Sequence, residues 1–95
     1  DLDRIANFLI DHPKYGLNIS GHTDSQGNKD SNLRLSQARA DAIKAYLVYQ
    51  FKIEPERINA HGYGSEKPII QEEKTEEDKR LNRRVEFEIL HNDSK

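Results

Sequence analysis

The stretch Ser20-Gly21-His22-Thr23-Asp24-Ser25-Gln26-Gly27, followed by Asn32-Leu33-Arg34-Leu35-Ser36-Gln37-Ala38-Arg39-Ala40, decides the fold. Leu17-Asn18-Ile19-Ser20 alternates apolar and polar residues and predicts a short strand. It runs into a polar loop, Thr23 to Ser31, where Asp24, Gly27, Asn28 and Asp30 supply turn chemistry. A helix follows from about Asn32 to Phe51, with Ser31 or Asn32 as its N-cap. The spacing assigns its apolar face to Leu35, Ala38, Ala42, Ala45, Tyr46 and Tyr49, widened by Ile43 and Leu47. Tyr46, Tyr49 and Phe51 are expected in the core and at the helix end. The loop and helix bring one carboxylate, Asp24, and one guanidinium, Arg39, to the rim of one loop. An anion and a cation so held suit a small zwitterion. Taken alone, Asp24 reads equally as an Asx-turn residue and Arg39 as a solvated helix charge.

Outward from this segment the pattern continues. Leu2, Ile5, Ala6, Leu9 and Ile10 recur at helical spacing, with Asp1 and Asp3 suited to the positive end of the helix. Pro13 and Gly16 end that helix. Ile58, Ala60 and His61-Gly62-Tyr63-Gly64 predict a second strand that leaves through a glycine-rich turn. Ser65 to Lys74 reads as irregular. Thr75 with Asp78 resembles a capping box and starts a short helix through Leu81. Val85, Phe87 and Ile89 alternate with Glu86 and Glu88 in a last strand, Arg84 to Leu90, with one wet face. The tail from His91 to Lys95 is expected to fray. Helices that join successive strands imply an α/β (α+β) two-layer sandwich.

Ninety-five residues make one small domain, 1–95, with a compact core. The hydrophobic and charged fractions are both 34%, and the charged share exceeds the usual roughly 25%. A net charge of −2 gives no pull toward nucleic acid or an anionic membrane. The absence of cysteine excludes disulfides and thiolate zinc sites. The chain has no methionine and opens in a helical pattern, which reads as a piece of a longer protein.

Three blocks resemble the OmpA-like peptidoglycan-binding domain. They are Gly21-His22-Thr23-Asp24 with Gly27; Asn32, Leu35-Ser36 and Arg39-Ala40; and Arg57-Ile58, Gly62-Tyr63-Gly64, Pro68 and Asn82-Arg83-Arg84-Val85-Glu86. The resemblance implies a βαβαβ arrangement with a mixed sheet, whose first strand would precede residue 1. It implies a periplasmic domain of an outer-membrane-attached protein that binds peptidoglycan without catalysis or cofactor. In the family, the aspartate and arginine at the positions of Asp24 and Arg39 grip the diaminopimelate of the stem peptide. The chemistry agrees: a carboxylate accepts from the ammonium, and a guanidinium forks onto the carboxylate. Thr23, Asn32 and Arg83 are further candidate contacts. The chain departs from the family at Ser31, where a tyrosine is common, and at Asp78-Lys79, where a Gly-Arg pair is usual.

Two other functions predict different behaviour. A wall hydrolase with His22 as base beside Asp24 would need a nucleophile or a metal. His12, His22, His61 and His91 have no ligand spacing. An envelope interaction module would use the charged segment from Glu72 to Lys79. The basic run Lys79 to Arg84 is offset by Glu72, Glu73, Glu76, Glu77 and Asp78, so it reads as a solvated face and not a nucleic-acid site.

Overall fold

A computed structural model describes residues 2–91. Helix α1 (Leu2–Asp11) leads into strand β1 (Tyr15–His22), helix α2 (Lys29–Phe51) and a 3-10 turn (Pro55–Arg57). Strand β2 (Ile58–Gly64), helix α3 (Glu76–Asn82) and strand β3 (Arg84–His91) complete the order. The strands form one mixed sheet in the order β2-β1-β3, with β1 parallel to β2 and antiparallel to β3. The α/β sandwich expected from the alternation of elements is therefore present. Strand β1 is longer than its alternating run, because pairing on both edges supplies hydrogen bonds through Gly21 and His22.

Leu17 and Ile19 point from β1 into the core with Ala6 and Leu9 of α1, Ala40 and Leu47 of α2, and Ile53 and Ile58. On the opposite face Asn59 donates to Asn18, which donates to Glu88, forming a polar rung across all three strands. Glu86 and Glu88 are exposed as expected. Phe87 and Ile89 are also about two-fifths exposed, because β3 is an edge strand and α2 lies mainly across β2 and β1.

The face of α2 is a correction. Leu35, Ala38, Ala42, Ala45, Tyr46 and Tyr49 all lie toward solvent, and Tyr49 is 73% exposed. The buried positions are Asn32, Ser36, Ala40 and Leu47. The cause is a close approach of helix to sheet. A Cβ on Gly21 would stand 2.5 Å from the Ser36 carbonyl oxygen, and one on Gly62 2.2 Å from the Gln37 nitrogen. Only small or hydrogen-bonding residues fit such a contact. Ser36 Oγ accepts from Gly64 N at 2.9 Å, and the Gln37 carboxamide bonds both Ala60 O and Gly62 N of β2. Of the expected face only Leu47, which is buried, and Ile43, which packs against the core, lie toward the sheet. Phe51 does pack against the core at the helix end.

The start of α2 is also corrected. Asn28 is the N-cap, its side chain accepting from Ser31 N at 3.0 Å, so the helix begins three residues before Asn32. The capping box at Thr75 and Asp78 forms in both directions. His91 belongs to β3 and stacks on Tyr15, whereas the expected fraying of Asn92 to Lys95, like the role of Asp1, lies outside the described residues.

Candidate functional site

The loop between β1 and α2 is built from short polar bonds. Thr23 N donates to Gly64 O at 2.8 Å, which closes the loop onto the end of β2. The Thr23 hydroxyl donates to Asp24 O at 2.9 Å. Asp24 Oδ1 accepts from Gln26 N at 3.0 Å, so the Asx-turn forms. Asn32 Nδ2 reaches back to Gln26 O at 3.0 Å and ties the loop to the first turns of α2. Thr23 and Asn32 are both buried, and their side-chain bonds run to the loop itself.

The second oxygen of Asp24 faces α3. Arg83 Nη1 donates to Asp24 Oδ2 at 2.6 Å, and Arg83 Nη2 donates to Glu76 Oε2 at 2.9 Å. One guanidinium thus bridges a mostly buried carboxylate (side chain 11% exposed) and an open one (69%). Burial alone would raise the Asp24 carboxyl. The Arg83 and Gln26 hydrogen bonds, with the positive charges of Arg83 and Lys79, outweigh it and hold Asp24 below its usual range.

Two residues that spacing does not single out support this corner. Asn82 is fully buried at the end of α3; its Oδ1 accepts from Ile69 N and Ile70 N, and its Nδ2 donates to Ile70 O and Glu73 Oε2. Glu73 in turn accepts from Ser25 Oγ at 2.6 Å and from Ser25 N. The segment from Ser65 to Lys74, irregular by composition, is therefore pinned to the loop. Asn82 belongs to the third block of the resemblance, but nothing in its neighbours indicates that it bonds a segment 12 residues away.

The structure brings Thr23, Asp24, Asn32 and Arg83 together. Arg39 stands apart: it is exposed on α2 and makes no hydrogen bond or ion pair among the described residues. Seven residues separate it from Asn32, two helical turns, which puts both on one side of α2, roughly 10 Å apart along the axis. His22 does not bond Asp24. Its ring is buried against Tyr63, and neither nitrogen has a hydrogen-bond partner among the described residues. Among those residues no group of three or more His, Asp or Glu side chains could hold a metal ion, and no helix is long and apolar enough to cross a membrane.

A sequence model of the OmpA family matches residues 1–83. Outer membrane porin F of Pseudomonas aeruginosa is 38% identical over 89 residues, 94% of this chain and 25% of that protein. The crystal structure of the peptidoglycan-associated lipoprotein from Burkholderia pseudomallei superposes with a TM-score of 0.84 at 31% identity, covering 93% of this chain and 73% of that one. The cell wall anchor of the T6SS from Pseudomonas aeruginosa superposes with a TM-score of 0.78 at 30% identity, covering 95% and 63%. The chain spans about a quarter to two-fifths of the length of the curated relatives it matches. As in these relatives, the setting is the cell envelope, on the periplasmic side of the outer membrane. The match over residues 1–83, the shared mixed sheet with its helices, and the loop-to-helix blocks together make this chain a member of the OmpA family.

Proposed function

We propose that this domain binds peptidoglycan non-covalently and so anchors an outer-membrane component to the cell wall. The ligand group is the free end of diaminopimelate in the stem peptide. Asp24 accepts from its ammonium, and Arg39 forks onto its carboxylate. Thr23 and Asn32 shape the loop that carries Asp24, and Arg83 stands at that carboxylate as its counter-ion. The observation that carries this is the state of Arg39. A guanidinium with no hydrogen bond or ion pair among the described residues, on the same side of α2 as Asn32, is available to an anion. A mostly buried carboxylate at the head of the same helix supplies the opposite charge. The names of the relatives agree, one being a peptidoglycan-associated lipoprotein and another a cell wall anchor. A hydrolase finds less support, since His22 is buried and unbonded to Asp24.

The test is calorimetric titration with stem peptides that differ only in diaminopimelate or lysine. Diaminopimelate peptide should bind more tightly, because lysine lacks the second carboxylate. Arg39→Ala should weaken that binding about 10- to 100-fold, the scale of one charge-assisted bond, and leave thermal unfolding nearly unchanged. Equal affinity for the two peptides would sink the proposed clamp.

A further inference from the structure

Asp24, the proposed acceptor of an ammonium, is already engaged. Its Oδ1 is taken by Gln26 N and its Oδ2 by Arg83 at 2.6 Å. An arriving cation therefore meets a guanidinium in place. Arg83 has a second partner, Glu76, on a different nitrogen at 2.9 Å. Glu76 opens α3 and Arg83 is its C-cap, and the two side chains meet along the short helix. The capping box at Thr75 and Asp78 fixes the turn that carries Glu76.

The charges that face this corner can be counted. Asp24, Glu73 and Glu76 are carboxylates; Arg83 and Lys79 are cations whose charge acts on Asp24. Glu73 is committed to Ser25 and Asn82. A ligand cation that reaches this corner would have to share its carboxylates with Arg83. That cation and Arg83 need two carboxylates between them, and the two within reach of Arg83 are Asp24 and Glu76. The exposed one costs less to occupy with a guanidinium, because Arg83 is itself about one-third exposed.

We propose that Glu76 is a positioning residue of the ligand site, which holds Arg83 away from Asp24 when a ligand's ammonium takes that carboxylate. The inference rests on the reading of Asp24 as the ammonium acceptor. Arg83 is then the resident counter-ion that the ligand displaces. The site selects a ligand that carries a free ammonium beside its carboxylate; a plain dicarboxylate leaves Arg83 where it is.

The experiment compares wild type, Glu76→Gln, Arg83→Gln and the double variant. The first readout needs no ligand: the pH titration of the Asp24 carboxyl carbon by NMR. Glu76→Gln should shift it downward, since Arg83 then has one partner, and Arg83→Gln should shift it upward. In the Arg83→Gln background the effect of Glu76→Gln should largely vanish, the non-additivity expected of a shared partner. Additive shifts would overturn the inference. The second readout is affinity for diaminopimelate stem peptide. Glu76→Gln should weaken it about three- to tenfold, and the double variant should bind no worse than Arg83→Gln. Weaker binding by Arg83→Gln alone, or an undiminished Glu76→Gln penalty in its background, would make these residues direct ligand contacts and overturn the displacement. Wild type that fails to bind the peptide, with the NMR coupling intact, would reject the Asp24 clamp and the displacement role while leaving the sharing of Arg83 established.

Discussion

Arg57 and Arg83 each tie together parts of the chain that are far apart in sequence, at opposite ends of β1. Arg57 sits at the Tyr15 end. Its Nε and Nη2 donate to Tyr15 O, and Nη2 also reaches Leu9 O at 2.7 Å and His12 O at 2.9 Å. These are main-chain carbonyls at the end of α1, where a helix terminus leaves acceptors without intrahelical partners, and at the start of the strand. Arg83 sits at the His22 end and bonds two side-chain carboxylates. Carbonyls of the main chain cannot turn away without unfolding; carboxylates can exchange partners. The same residue type is therefore a fixed tie at one end and a replaceable counter-ion at the other.

Removing each arginine should separate the two roles. Arg57→Ala removes the side-chain donor that joins Leu9 O to Tyr15 O, while His12 O keeps its bond from Tyr15 N, and urea unfolding should show a loss of about 2–4 kcal/mol. Arg83→Ala breaks contacts that water and salt already weaken, and the same measurement should show about 1 kcal/mol or less. A comparable loss in both variants would erase the distinction.

The His22 end should also respond to mild acid. Burial, then the Arg84 charge, hold His22 below its ordinary 6.5; Glu86 opposes them and Lys67 adds to them. These groups face it from β3 and the segment after β2, and Tyr63, itself against His61, stacks beside it. The folded state takes up its proton less readily than the unfolded chain. Full stability is therefore present above about pH 6.5 and is lost as pH falls from there through the lower folded value. Denaturation midpoints at pH 7.5 and pH 5 should differ in that direction. His22→Phe, which keeps the ring stack on Tyr63, should flatten this part of the profile.

The smallest effect belongs to neither end. Lys52 closes α2 with φ of +60°, a left-handed conformation that a side chain resists. Lys52→Gly should stabilise the domain by about 0.5 kcal/mol in thermal unfolding, the relief of strain being partly offset by the freedom glycine gains when unfolded. No change in peptide affinity should accompany it.

What could be read without the structure was local. The capping box at Thr75 and Asp78, the Asx-turn at Asp24 and the alternation of β3 each depend on residues within a few positions. The candidate pair Asp24 and Arg39 came from the blocks' resemblance to a family, because charge order along a chain does not separate a binding pair from a turn and a surface arginine. The error on the covered face of α2 has a single origin. A stripe of Leu, Ala and Tyr signals a buried face only if the partner surface accepts bulk. Gly21 and Gly62 instead bring the sheet against Ser36 and Gln37, and the apolar stripe is left outside.

The sequence by itself determined where α1 stops and where α3 starts, since a proline and a capping box act through near neighbours. It also determined the order of strand, loop and helix that presents Asp24 at the head of α2. Only the tertiary structure decided which side of α2 is covered, that Arg57 closes the end of α1, and that Arg83 lies on Asp24. The contacts of Arg57 with Tyr15 and of Arg83 with Asp24 join residues 42 and 59 positions apart. They form because the sheet brings strand ends together, and no local preference encodes which end meets which.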